Sequence, residues 1–320
     1  MRLSRPAIAA GLLACVLPLA AQGQDDRDEA GEGAWSIATN GSLSDTLDCF
    51  EREGRTLVSA HRGGPTPGLP ENSIEAMDAL LHEAPAIMEI DVAGSRDGVL
   101  FLMHDDTLDR TTTGTGEAAA LDWPALSALR LRDASGWVTP YGIPTLQAAL
   151  AWAKGRTVLQ IDFKRSASYE DTIAAIREAG MTQDVVLIAY SVGSAVRLHQ
   201  LAPDMTISLS MEEAGALDEA VTAGIPADRL VAFTGTRTVR PDLYAALDAA
   251  DVEVIFGTLG GSRSLDRQFE RDGSDARYAE LGVSGVDIIA TDRPREAARA
   301  LREAGRMAGT GVCGVGREAG

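Results

Sequence analysis

Short aliphatic runs recur along this chain at intervals that leave room for a helix between most of them, and that rhythm limits the fold more than any other feature. The runs occupy 56–60, 87–92, 99–103, 158–163, 185–190, 206–211, 230–234, 252–257 and 286–290. Helical patterns with start and stop signals lie between them. Ile74, Met77, Leu80 and Leu81 recur at helical spacing, and Asn72 with Glu75 is placed as an N-terminal cap. Thr145 caps a segment that stops at Gly155, while 169–179 and 294–304 stop at Gly180 and Gly305. Strand then helix, repeated over about 240 residues, predicts an α/β protein with a parallel sheet, open or closed into an eight-fold barrel. Nine runs exceed eight, so at least one is a short extra or not a strand at all.

The rhythm breaks twice. Only the residues from Val92 to Gly98 separate Asp91 from the next run, too few for a crossover helix, so an irregular loop or a hairpin must join them. Residues 105–143 then carry a Thr/Gly-rich run with Trp123 and Trp137, which reads as an insertion over one mouth of the sheet.

The N-terminus reads as a targeting segment. Arg2 and Arg5 precede an uncharged, mostly apolar run from 6 to 21, and Gln24-Asp25-Asp26 follows at once. That is the layout of a secretory signal peptide spanning 1–23, so a secreted or periplasmic product is expected. Lipidation at Cys15 is the less favoured route, because Val16-Leu17-Pro18-Leu19 follows it. Residues 24–54 form an acidic, loose leader and an N-terminal helix, 55–305 the main domain and 306–320 a tail. With Cys15 removed, Cys49 and Cys313 remain, an even pair suited to a disulfide in an oxidising compartment or two unpaired small hydrophobes. A net charge of −18 with no basic run makes nucleic acid a poor partner. No later apolar stretch reaches 18 residues, so no stable membrane insertion is expected, and no protein partner is implied.

The chemistry lies at strand ends, where α/β proteins place ligands. His82 and His199 sit on polar helical stretches and read as solvated surface residues, whereas His61 and His104 each close a hydrophobic run. Glu89 and Asp91 stand two apart, so both carboxylates share one face of their strand while Met88, Ile90 and Val92 take the other. Inside a barrel, two such acids repel unless a cation lies between them. Gln160-Ile161-Asp162-Phe163-Lys164 repeats the alternation and adds a third carboxylate and an ammonium. Three carboxylates without cysteine make an all-oxygen site that suits Ca2+ or Mg2+. Arg62 and Lys164 are left as a cationic pair for a phosphate, although Lys164 also pairs naturally with Asp162.

The ordered string His61-Arg62-Gly63-Gly64, Pro70-Glu71-Asn72-Ser73, Glu89-Ile90-Asp91-Val92, Asp97-Gly98 and His104-Asp105-Asp106 through Thr112 resembles the glycerophosphodiester phosphodiesterase family. Asp162-Phe163-Lys164 and Thr291-Asp292-Arg293-Pro294 extend the likeness to most of the chain. The resemblance implies a (β/α)8 TIM-type barrel with a small insertion after the third strand. It implies His61 and His104 as the general acid/base pair, Glu89, Asp91 and Asp162 as ligands of a divalent metal, and Arg62 and Lys164 as phosphate contacts. Glu71 and Asn72 are implied as orienting groups behind them. The implied substrate is a small glycerophosphodiester, hydrolysed to glycerol 3-phosphate and an alcohol. Two departures stand out: the third ligand is Asp162 rather than the usual Glu, and Val254-Ile255-Phe256-Gly257-Thr258-Leu259 lacks the family's Trp and Asn.

Three competing readings stand beside this one. Ala189-Tyr190-Ser191-Val192-Gly193 approaches a nucleophile elbow, but the only later histidine, His199, lies along the same predicted helix. A secreted, non-catalytic calcium-binding module would use the carboxylates alone. A related phosphodiesterase acting on lysophospholipids would use the same metal and histidine pair.

Overall fold

A computed structural model describes residues 33–39, 41–213 and 215–318; the expected signal peptide, Cys15 and the leader up to residue 32 lie outside them. The strands are β1 (Trp35–Ile37), β2 (Leu57–Ala60), β3 (Ile87–Gly94), β4 (Leu100–Leu102), β5 (Leu159–Phe163), β6 (Val185–Ala189), β7 (Thr206–Ser210), β8 (Leu230–Phe233), β9 (Val254–Gly257), β10 (Ile288–Thr291) and β11 (Val315–Arg317). The α-helices are α1 (Leu43–Arg52), α2 (Ile74–Glu83), α3 (Trp123–Ser127), α4 (Leu146–Ala153), α5 (Tyr169–Ala179), α6 (Val192–Leu201), α7 (Gly215–Thr222), α8 (Pro241–Asp248), α9 (Leu265–Asp272), α10 (Arg277–Val283) and α11 (Pro294–Glu303). Eight strands, β2, β3 and β5 to β10, pair in parallel in that order, and β10 returns to β2 through Ile288↔Leu57 and Thr291↔Ala60. The sheet is therefore a closed (β/α)8 barrel.

The period-2 alternation sorts each strand between two environments. Met88, Ile90, Ile161, Leu187 and Ile207 face outward and pack against the apolar stripes of the surrounding helices. Leu57, Ile87, Val158, Val186, Val231, Ile255 and Ile288 fill the barrel interior near the strand starts. Leu43, Leu47 and Phe50 of α1 close that layer from below. Polar caps fix where the helices begin: Ser42, Ser73, Thr145, Ser168, Ser191 and Ser264 each accept from a backbone N–H in the first turn of their helix.

The extra ninth run is β4. It pairs antiparallel with β3 through Val92↔Leu102, Ala93↔Phe101 and Gly94↔Leu100, so the short connection is a hairpin. This corrects the count behind the insertion. The third predicted strand is not a stave of the barrel, and residues 105–143 hang from the hairpin as a lobe. Phe101, Met103, Leu108, Ala118, Leu126, Leu131 and Ile143 give that lobe an apolar cluster of its own.

The segment read as a loose leader contains β1, which pairs antiparallel with β11 of the tail through Trp35↔Arg317 and Ile37↔Val315. Ile37 N also donates to Arg156 O (2.8 Å), just ahead of β5, so the ribbon lies across the barrel floor. A Cys49–Cys313 disulfide ties α1 to this tail. Among the described residues no helix is long and apolar enough to cross a membrane.

Candidate active site

The acids come together at the carboxyl end of the barrel. In-register pairing of β3 with β5 sets Asp91 beside Asp162 and Glu89 beside Gln160. Glu89, Asp91 and Asp162 are all buried, and one carboxylate oxygen from each lies within 4.8 Å of the others. At an effective dielectric of about 20, each ionised pair at such a spacing repels by roughly 3–4 kcal/mol. Lys164 offsets part of this: its Nζ lies 2.6 Å from Asp91 Oδ1 and 2.7 Å from Asp162 Oδ2. Burial works against that ammonium, but Asp91 and Asp162 outweigh it and hold its pKa above the ordinary lysine value. The compensation is incomplete, because burial and then the charge of Asp91 push the Glu89 carboxyl up to about 8. A buried all-oxygen set with surplus negative charge fits a hard divalent cation.

Arg62 and Asn72 reach the acids through unusual backbone. Both are non-glycine residues in the left-handed region, with φ of 53° and 56°. Such a backbone costs about 1–3 kcal/mol and persists only where the surroundings enforce it. Here it turns Arg62 N toward Glu89 Oε2 (2.7 Å), and Asn72 N donates to Arg62 O (2.8 Å). Asn72 then grips Asp91 twice: Nδ2 donates to Oδ2 (2.6 Å), and Oδ1 accepts from Asp91 N (2.9 Å). The expected cap of α2 by Asn72 is thereby corrected. Ser73 caps the helix, and Asn72 is committed to the acid. Gly63 next to Arg62 has no room for a side chain, since a Cβ there would lie 2.6 Å from Met77 Cγ.

His61 stands where β2 ends and His104 two residues beyond β4. Because β4 runs antiparallel, His104 reaches the mouth from the lobe side, and Met103 N donates to Asp91 O (2.9 Å) at that level. Each ring is held at Nδ1 by a carboxylate. His61 Nδ1 lies 2.6 Å from Asp292 Oδ1, and His104 Nδ1 lies 2.8 Å from Asp105 Oδ1. In both rings Nε2 is left for chemistry. Burial alone would lower the His61 pKa, but the Asp292 hydrogen bond and the field of Glu89 outweigh it and raise the pKa.

Two groups that sequence reasoning left without a role organise the rim. Arg110 donates to both oxygens of Glu71 (2.7 and 2.8 Å) and to both oxygens of Asp105 (2.6 and 2.8 Å). Glu71 also accepts from Arg62 Nη1 (3.0 Å), so a charged chain runs from Arg62 through Glu71, Arg110 and Asp105 to His104. Arg110 first, then His104, holds Asp105 well below the usual carboxylate range. On the opposite rim, Asp292 takes Gly260 N on Oδ2 (3.0 Å), and its own N–H is fixed by Asp266 (2.8 Å). The only signal for either group was its place inside the quoted motifs.

The other histidines and the serine are placed elsewhere. His82 is exposed and bonds Asp78 O. His199 is half-buried rather than solvated, and among the described residues its Nδ1 has no hydrogen-bond partner. Ser191 caps α6 and shares a capping box with Ser194, so its hydroxyl is engaged by the helix start. No histidine follows it except on that helix. This leaves no nucleophile elbow.

A profile of the glycerophosphoryl diester phosphodiesterase family matches residues 61–255. The chain belongs to that family. A glycerophosphodiester phosphodiesterase of Bacillus subtilis (strain 168) is 28% identical over 267 residues, covering 72% of this chain and 83% of the relative. A crystal structure of a glycerophosphoryl diester phosphodiesterase from Parabacteroides distasonis is 30% identical with a TM-score of 0.77, covering 85% of this chain and 95% of that one. An Oleispira antarctica phosphodiesterase, solved with the product sn-glycerol-3-phosphate, shares the fold at a TM-score of 0.61 and 20% identity, over 78% of this chain and 98% of its own.

Proposed function

We propose that this family member hydrolyses glycerophosphodiesters to glycerol 3-phosphate and an alcohol, with Glu89, Asp91 and Asp162 holding Ca2+ or Mg2+ and with His61 and His104 as the proton-transfer pair. The observation that carries the reading is the convergence of three buried carboxylates, Lys164 and His61 at one barrel mouth. When bound, the cation supplies Lewis-acid polarisation of a phosphoryl oxygen. Arg62 supports a role in holding the diester, because its Nε is buried without a hydrogen-bond partner among the described residues, 3.7 Å from Asp91 Oδ2. An anionic oxygen there would satisfy that donor and sit close to the Lys164 ammonium.

In the proposed step, one imidazole accepts at Nε2 the proton of the attacking hydroxyl, from water or from the glycerol 2-position, the latter giving a cyclic phosphate that water then opens to glycerol 3-phosphate. The other donates from Nε2 to the departing alkoxide. Asp292 and Asp105 hold the two rings by Nδ1, and Asp292 favours the imidazolium of His61 as it forms. A merely structural ion would give no role to this matched pair of carboxylate-held imidazoles. The Cys49–Cys313 bridge supports export to an oxidising compartment, in keeping with the signal peptide expected at 1–23.

The test is release of glycerol 3-phosphate from glycerophosphocholine and glycerophosphoglycerol. Activity is expected to vanish with a chelator, to return with Ca2+ or Mg2+, and to fall at least about 100-fold in folded His61→Ala and His104→Ala variants. Full activity in either variant, or none in the metal-loaded wild type on any diester, overturns the reading.

A further inference from the structure

Beside the mouth, the loops that follow β8 and β9 enclose a cleft of about 680 Å3 whose walls include Thr236, Arg237, Leu259, Gly260, Arg263 and Gln268. Leu259 also lines the mouth cavity that holds His61, Glu89 and Asp162, so the two spaces adjoin. The link on the His61 side is direct. Gly260 N donates to Asp292 Oδ2 while Asp292 Oδ1 holds His61. The mouth cavity itself measures about 120 Å3, about four waters' share of liquid volume, so a diester with a bulky alcohol must extend beyond it.

The cleft reverses the charge of the molecule. The chain carries −18 overall, yet Arg237 and Arg263 both face this space, and among the described residues neither makes a hydrogen bond, ion pair or ring contact. Their neighbours in sequence do: Arg240 pairs with Glu212 (3.3 Å) and Arg267 with Glu270 (2.8 Å), so nearby acids are already engaged. The flank on the His104 side is mixed instead, with Asp105, Asp106 and Glu117 beside Lys164 and Arg165. Among the residues that line the cleft there is no acid, so its two guanidinium groups stand without a balancing charge beside the mouth.

Building on the hydrolase reading above, we propose that this cleft receives the alcohol half of the diester and selects alcohols that carry a second phosphate group, bound by Arg237 and Arg263. Glycerol is uncharged and gives such a pair nothing to bind, so the anion must belong to the alcohol. Guanidinium forks match phosphate oxygens in geometry as well as charge. Both arginines are exposed, which makes the preference weaken as ionic strength rises.

The test compares glycerophosphoinositol 4-phosphate with glycerophosphoinositol and glycerophosphoglycerol in wild type and in the Arg237→Gln/Arg263→Gln variant. Alongside it, calorimetry measures binding of myo-inositol 4-phosphate to the metal-loaded proteins. Wild type is expected to favour the phosphorylated diester in kcat/KM by about tenfold, as two exposed charge-assisted contacts allow. The variant loses that preference and the inositol phosphate binding while its rate on glycerophosphoglycerol, which also reports the fold, changes less than about twofold. Equal rates on the two inositol diesters in wild type, or a preference that survives the double substitution, overturns the cleft proposal and leaves the hydrolase reading standing. If no diester is cleaved, arginine-dependent inositol phosphate binding still supports an anion site there, and its absence removes both.

Discussion

His61 and Asp292, at the ends of the first and last barrel strands, meet through a 2.6 Å contact that barrel closure alone makes possible. Asp292 raises the His61 pKa against the opposing effect of burial. Asp292→Asn is therefore expected to lower kcat about 100-fold or more, by analogy with loss of a histidine-orienting carboxylate elsewhere. The sign on pH follows. Without its anion His61 gives up its proton at lower pH, so the limb of the rate profile that needs imidazolium moves toward acid. A pH–rate profile, with a melting curve to confirm the fold, checks both.

Asn72 is expected to govern cation affinity without touching substrate. Its two hydrogen bonds fix Asp91, and its left-handed backbone aims them. Asn72→Ala removes both bonds and strains the turn, so affinity for Ca2+ or Mg2+ should fall about 10–100-fold. Asn72→Gly relieves the backbone and should recover stability but not affinity. Calorimetric titration of the metal separates the two effects.

Just ahead of β9, Glu253 is only 6% exposed, and its Oε1 has no hydrogen-bond partner among the described residues. Burial, reinforced by Asp48 and Asp287, pushes its carboxyl up to about 9. A carboxyl raised on folding stabilises the fold fully below its unfolded pKa, and that contribution is lost as pH rises toward the folded value. Glu253→Gln should consequently melt at least about 2–4 °C higher than wild type near pH 8, with the gain shrinking as pH approaches about 4.5. Parallel melting curves that keep the same offset at every pH would refute the assignment.

Reducing the Cys49–Cys313 bridge, or replacing both cysteines by serine, frees the floor ribbon and α1 from one another. The expected loss is about 2–4 kcal/mol, or roughly 5–10 °C in Tm. Because the mouth is at the other end of the barrel, kcat at 25 °C should change less than about twofold for a well-folded variant. A melting temperature unmoved by dithiothreitol would show that the floor does not depend on the bridge.

Much of the site could be read before the structure, because a strand's period of two is visible in the residues themselves. Glu89 with Asp91, and Asp162 with Lys164, declared a shared face in that way. The direction of β4 did not, since alternation looks alike in parallel and antiparallel strands, and only the short span from Val92 to Gly98 hinted at a hairpin. The β1–β11 ribbon left no mark, as three-residue strands from opposite ends of the chain carry no local pattern. The orienting work of Arg110 and Asp292 was equally hidden, because it arises from tertiary contact. The cap of α2 was misread by one residue because Asn72 lies at positive φ and leaves the helix start to Ser73.

The hairpin that carries His104 gives the two imidazoles unequal foundations. His61 is rooted in the closed barrel, whereas His104 rides on an appendage with a small apolar centre of its own. Mild heating should loosen that appendage first and disable turnover while the barrel is still intact, so inactivation should precede global melting.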